Sequence, residues 1–337
     1  MPELSGNCEQ TFRWALRRAL RRHPLAFCSG LVLVVLLILS VSTLPLSVEW
    51  YNVQELQAAV RHAPSIEPVI PLSQYTSASE TEVTDGIVAS AHGVSSWLGH
   101  DDLGRSLLYR LLPAFLVSLA VGLAAAMMAV VIGTAVGSVA ALFGGRVDMV
   151  LMRIVDILYG LPYILMVILL KIALTGPLTA LFGGRSKYAD VVILFVAIGG
   201  VSWLTMARVI RGQVLSLRQQ PFVEAARASG AGPWYILRRH LLPNLIGPIA
   251  VYATLVVPQA ILQESFLSFL GVGIQQPVPS LGRLAADGVE AVNTFVGFWW
   301  LLAFPCGLLI VTLLALNFMG DGLRNAFDPK SSAATLV

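Results

Sequence analysis

Apolar residues in this chain gather in long uncharged runs, not in the short alternations of a strand or the one-sided stripes of a soluble helix. About 20 such residues are needed for one helix to cross a hydrocarbon core of about 30 Å. Six runs qualify, at residues 25–46, 111–143, 157–174, 191–207, 245–262 and 294–319. The second is too short for two spans with a turn and generous for one tilted helix. The pattern predicts an all-α polytopic membrane protein with six transmembrane helices. Pro113, Pro162, Pro248, Pro258 and Pro305 are expected inside the spans, where each removes a backbone hydrogen bond. Neighbouring helices or a water-filled cavity satisfy the carbonyls so freed. An ordinary kink and a gate both fit any one of these prolines. Six kinked spans with short loops suit a translocation pathway better than an anchor.

Composition agrees and removes other classes. Hydrophobic residues make up 56% of the 337 and charged residues 12%, against about 25% charged in soluble domains, so a water-soluble enzyme is excluded. Cys8, Cys28 and Cys306 show no metal-ligand spacing, and neither a disulfide framework nor a metal site is expected. The only lysines are Lys171, Lys187 and Lys330, none after a glycine. The chain therefore has no G-x-x-x-x-G-K-[ST] with which to hydrolyse ATP. G-x-S-x-G, H-E-x-x-H and paired intramembrane aspartates are missing too, which sets aside an intramembrane enzyme. No nucleic-acid footprint is visible, and no cofactor is expected in this chain.

The net charge of +3 is small; its placement says more. Arg13, Arg17, Arg18, Arg21 and Arg22 precede the first run, and Arg146, Arg153 and the arginines from 208 to 239 share its side if spans alternate. Arg61, Arg105, Arg110, Lys171, Arg185, Lys187 and Arg283 fall on the other. The positive-inside rule then puts both termini in the cytoplasm. The first run behind its basic lead imitates a signal peptide but has the length of an uncleaved anchor.

The expected organisation is a basic cytoplasmic segment 1–24, a first span 25–47, an extracytoplasmic segment 48–110, a core 111–320 with a cytoplasmic loop 212–244, and a tail 321–337. Local pairings are also expected. Arg153 and Asp156 sit three apart on a helix and pair with each other. Lys171 near a span end snorkels to the interface, and Gly320 ends the last span with Asp321 capping a short helix after it.

The loop RVIRGQVLSLRQQPFVEAARASGAGPWYILRRHLLPN carries the most information. Pro221 suits the first turn of a helix, Glu224 complements the helix dipole, and Gly230 suits the carboxyl-terminal cap. A second helical piece is expected to start after Pro233 and stop near Pro243. A compact alanine-bearing helix between breakers can seat in a partner's groove and push the spans it joins. It can equally lie on lipid headgroups, which Arg227, Arg238 and Arg239 would suit.

EAARASGAGPWYILRRHLLPN resembles the EAA loop of ABC-importer permeases, with Glu224, Ala225, Ala226, Gly230, Leu242 and Pro243 at the matching positions. GHDDLGRSLLYRLL, FGGRVDMVLMRIVDILYGLP, ESFLSFLGVGIQQPVPSLG and NFMGDGLRNAFDPK resemble further segments of the C-type subunit of the dipeptide/oligopeptide/nickel importer family, in the same order. The resemblance implies a type I ABC importer permease fold in a bacterial cytoplasmic (inner) membrane. It also implies a B-type permease as partner, two ATPase subunits that bind ATP and Mg, and an extracytoplasmic solute-binding protein. The chain would form half of a pathway for peptides or a related small solute; a non-peptide solute, or export, is the alternative.

The resemblance makes Glu224, Ala225, Ala226 and Gly230 the contact to the ATPase, with Glu224 facing that partner or capping its own helix. Glu264 opens ESFLSFLGVG, read as a re-entrant or interfacial helix at the outer mouth, where it serves either a pathway or packing. Phe266, Leu267, Phe269 and Leu270 form an outer gate or ordinary bundle packing, and Pro162 is a further gate candidate. His100 and Ser106 depart from the family pattern, as do the length of 48–96 and an insert at 175–190.

Overall fold

Six helices are long and apolar enough to cross a membrane among the described residues of the computed structural model, which are 24–44, 63–64, 97–101, 105–181, 189–276, 278–293 and 296–327. Their order begins with α1 (Pro24–Ser42), α2 (Leu107–Phe143), α3 (Gly145–Tyr159), α4 (Tyr163–Leu181) and α5 (Ala189–Leu217). It continues with α6 (Pro221–Ala228), α7 (Pro233–Ile236), a π-helical turn Leu237–Leu241, α8 (Leu242–Phe269), α9 (Leu281–Ala291) and α10 (Trp300–Phe327). A two-residue antiparallel ribbon, β1 (Val292–Asn293) with β2 (Val296–Gly297), joins α9 to α10.

Several expected boundaries move. α2 begins at Leu107, so Arg110 and Pro113 lie in its first turns. The run 157–174 is not one helix: α3 ends at Tyr159, and Pro162 sits in the connection to α4, kinking nothing. The apolar average across that stretch hides a break that Gly160 and Pro162 impose locally. Because α4 runs on to Leu181 with Pro177 inside it, Lys171 falls near its middle, with Asp190 of α5 as an electrostatic neighbour. α8 takes in Leu242 and Pro243 at its start and Glu264, Phe266 and Phe269 at its end, so ESFLSF is no separate helix. α10 passes through Gly320 and Asp321 without stopping. Those glycines serve space: a Cβ on Gly320 would press on Thr254, and one on Gly322 would overlap Ala26. Most of 48–96, and residues 1–23 and 328–337, lie outside the described residues.

The chain divides into two compact units. The first holds Val121–Leu262 with Met1–Leu33 and Leu313–Val337. Here α2 and α5 approach backbone to backbone, because a Cβ on Gly133 or Gly137 would run into Met206 or Ala207; small residues are what permit such contact in a membrane. α3 is fastened to α5 by two arginines one turn apart. Arg211 grips Asp148 with Nε and Nη2, at 2.5 and 2.6 Å. Arg208 binds Asp156 at 2.7 Å and stacks over the Tyr159 ring at 4.1 Å. Asp156 thus pairs across helices and not with Arg153. The Arg211 bond holds the Asp148 carboxyl below the usual carboxylate range, against an opposing effect of burial. Arg218 donates to the Ala141 carbonyl in the last turn of α2, where cations satisfy orphan acceptors.

The second unit holds Val34–Ala120 and Gln263–Thr312. Asp101 accepts from the Arg105 backbone N–H at 2.9 Å, Arg105 Nε at 2.8 Å and Arg110 Nη1 at 2.6 Å. Arg110 reaches Asp287 on α9 at 3.2 Å, and Arg283 reaches the same carboxylate at 3.0 Å. These ion pairs line a half-open cavity of about 230 Å³ and tie the approach to α2 onto α9.

Candidate functional site

The connection between α5 and α8 is built by local chemistry. Gln220 adopts an extended backbone and caps α6, with Pro221 behind it at the first helical position, where a missing N–H costs nothing. Gln220 O accepts from Val223 and Glu224. At the other end Gly230 takes φ +83°. Its N–H bonds Arg227 O at 2.9 Å and the Ala231 N–H bonds Ala226 O at 3.0 Å, the paired bonds of a Schellman cap. Gly230 therefore closes the helix as the sequence predicts. The π turn falls immediately before Pro243, where a regular ladder would ask for an N–H that proline lacks. Asn244 donates its amide to His240 O at 2.6 Å. The second helical piece does not stop at Pro243 but feeds straight into α8.

α6 has two unlike faces. Val223 is fully buried in a cluster with Ala141, Ile210, Val214, Leu241 and Leu245, and Ala226 and Ala231 pack against it. Burying such a side chain is worth roughly 1.5–3 kcal/mol, so the inner face is fixed to the ends of α2, α5 and α8. Glu224, Ala225, Arg227 and Ala228 face outward, beside Phe222, Trp234 and Tyr235 at 40%, 63% and 58% exposure. The Glu224 carboxylate makes no hydrogen bond among the described residues, so it does not cap its own helix. A force applied to the outer face is delivered through Val223 and Ala226 into α5 and α8.

The remaining candidates lie apart. Glu264 is wholly buried. Its carboxylate receives Ser118 Oγ at 2.7 Å, Ser268 Oγ at 2.8 Å and Ser265 Oγ at 3.3 Å. Ser118 in turn accepts the Leu281 N–H at 3.2 Å and Ser268 the Ile274 N–H at 3.0 Å. Ser280 caps α9 by accepting the Arg283 N–H. Leu267 is buried with this cluster, whereas Phe266, Phe269 and Leu270 stay exposed. Pro162 is exposed between α3 and α4. Sequence reasoning missed the serines around Glu264 and the Arg208 and Arg211 clamps. Ser118 lies inside an apolar run and Arg208, Arg211, Ser265 and Ser268 just beyond the ends of others, with no hint of the partner.

The helices with this capped connection define a class, a helical transport permease. Solved inward-facing structures of the MetNI methionine ABC transporter share the fold, with TM-scores of 0.50 and 0.51 at 20% and 22% identity; each alignment covers 66% of this chain and 98% of the other. The family described as the binding-protein-dependent transport system inner membrane component matches residues 133–333. The oligopeptide transport system permease protein OppC of Escherichia coli K12 is 48% identical over 69% of this chain and 72% of that protein. The dipeptide transport system permease protein DppC of Bacillus subtilis is 44% identical over 69% of this chain and 68% of its own length. The chain belongs to this family and is a multi-pass inner-membrane permease subunit of an ABC importer.

Proposed function

We propose that the chain forms half of the transmembrane pathway of a peptide importer, beside a B-type permease and above two ATPase subunits, and takes its motion from the ATPase that docks on α6. The observation that carries this reading is the split character of α6: an outer face of Glu224, Ala225 and Ala228 left open, and an inner face of Val223 and Ala226 locked to the spans. Small side chains let a partner groove close over the helix, and Glu224 offers it an unengaged carboxylate. ATP and Mg belong to that partner, and no covalent step falls to this chain. The naming of its relatives for oligopeptide and dipeptide transport supports peptides as cargo, delivered by an extracytoplasmic solute-binding protein.

In this reading α6 and both termini face the cytoplasm, consistent with the arginine distribution. Phe266 and Phe269, exposed on the last turns of α8, are the gate candidates; Glu264 supports them through its serines, and Pro162 lets α4 change direction from α3. The test is Glu224→Lys in the reconstituted complex. Assembly should persist while solute-loaded binding protein no longer stimulates ATP hydrolysis or uptake. Unchanged stimulated uptake overturns the docking role. A ligand screen on the cognate binding protein checks the cargo separately.

A further inference from the structure

We propose that α3 is a binding site for anionic phospholipid headgroups, a role separate from the docking of α6. α3 is too short to cross a bilayer and is set off from both neighbouring spans, by Gly144 and Gly145 with φ of +63° and +51° and by Gly160 and Pro162. One side is spoken for: Val155 is fully buried, and Asp148 and Asp156 are bound by Arg211 and Arg208 of α5. The other side is not. Val147, Val150, Ile154 and Ile157, spaced three, four and three apart, form an exposed apolar stripe, with Ile157 at 61%. Arg146 and Arg153, seven residues and so two turns apart, run along one edge of that stripe. Both are exposed, and neither forms an ion pair among the described residues.

The charge asymmetry decides the occupant. Every acid of α3 is neutralised toward the protein, and both of its arginines are left outward beside aliphatic side chains, the pattern of a helix seated at the boundary of headgroups and acyl chains. The stripe continues through Leu161 into Ile164, Leu165, Leu169 and Ile172 of α4. α4 is the span with the smallest share of its apolar window buried, 6%, so the same surface runs from the interface into the hydrocarbon. Tyr159, half exposed and stacked on Arg208, adds an aromatic ring of the kind that anchors at the interface.

The test uses the full-length protein in phosphatidylcholine nanodiscs carrying an equal small fraction of photoactivatable phosphatidylglycerol or photoactivatable phosphatidylcholine, with crosslinks mapped to the peptide 146–161. Phosphatidylglycerol should label this peptide up to about 30-fold more, at about 1 kcal/mol for each of two basic side chains near an anionic surface. The preference should vanish in R146Q/R153Q and survive in R146K/R153K, while peptides of α4 label alike with both lipids. Equal labelling in the unaltered protein, or an undiminished preference in R146Q/R153Q, overturns the proposal. Loss of the labelling once the other transporter subunits are assembled also overturns it, because a protein would then cover this face.

Discussion

Replacing Gly230 with alanine isolates the contribution of one backbone conformation to the docking helix. An added Cβ meets no heavy atom within 4 Å, so the substitution introduces no clash. What remains is the left-handed backbone at φ +83°, which costs a residue with a side chain roughly 1–2 kcal/mol. That cost falls on the cap, whose three bonds join Ser229 to Ala225, Gly230 to Arg227 and Ala231 to Ala226 at 2.9–3.0 Å. A penalty of 1–2 kcal/mol changes an opening equilibrium by about 5–30-fold. Hydrogen exchange followed by mass spectrometry on the nanodisc-embedded protein should therefore show amides 229–231 exchanging about 5–30-fold faster in Gly230→Ala. Gly230→Asn should give a smaller rise, since asparagine tolerates the left-handed region. Exchange in α5 and α8 should stay as it was, because Val223 still holds the inner face. Unchanged exchange at 229–231, or a rise spread evenly over α5 and α8, would refute the claim that the cap is a local device.

Two further outcomes follow from the packing. Asp148→Asn should lower the melting temperature of the detergent-solubilised protein at neutral pH, and the gap to the unaltered protein should close under acid. A carboxylate held below its ordinary value of 3.8 stabilises the fold above that pH and stops doing so as pH falls through the lowered value; a gap that does not narrow at all as the pH is taken down below 3.8 would count against the Arg211 clamp. Ser118→Ala should cost roughly 1–3 kcal/mol, the penalty of leaving the buried Leu281 N–H and one Glu264 lone pair unmatched. The check is again the melting temperature, and no change would mean that Ser118 does not bridge α8 and α9.

The membrane spans were legible because the bilayer imposes a rule that a single stretch of sequence must satisfy alone: about 20 residues without charge. Their ends were harder, since turns and tertiary packing set them. Gly160 with Pro162 breaks a run that looks continuous in hydrophobicity. Gly320, by contrast, looks like a terminator and is an interior residue of α10, where a Cβ would press on Thr254, just as one on its neighbour Gly322 would overlap Ala26. Glycine has two uses, a left-handed backbone and a missing Cβ, and only the surroundings tell which one applies.

The same division explains the candidate sites. Pro221, Glu224 and Gly230 act within one short helix, so their spacing reveals both ends of α6 before any tertiary contact is known. Glu264 could not be read this way: its partner Ser118 is 146 positions distant, and an acid at the end of an apolar run fits a pathway and packing alike. The hydroxyl geometry gives it a holding task. Ser118 and Ser268 each accept a backbone N–H, from Leu281 and Ile274, so the proton of each is left to point at the carboxylate. Glu264 thus acts as a shared acceptor that fixes the chain from 274 to 281 against α8 and the first half of α2. Any movement of the exposed Phe266 and Phe269 must then carry that segment with it or break these bonds.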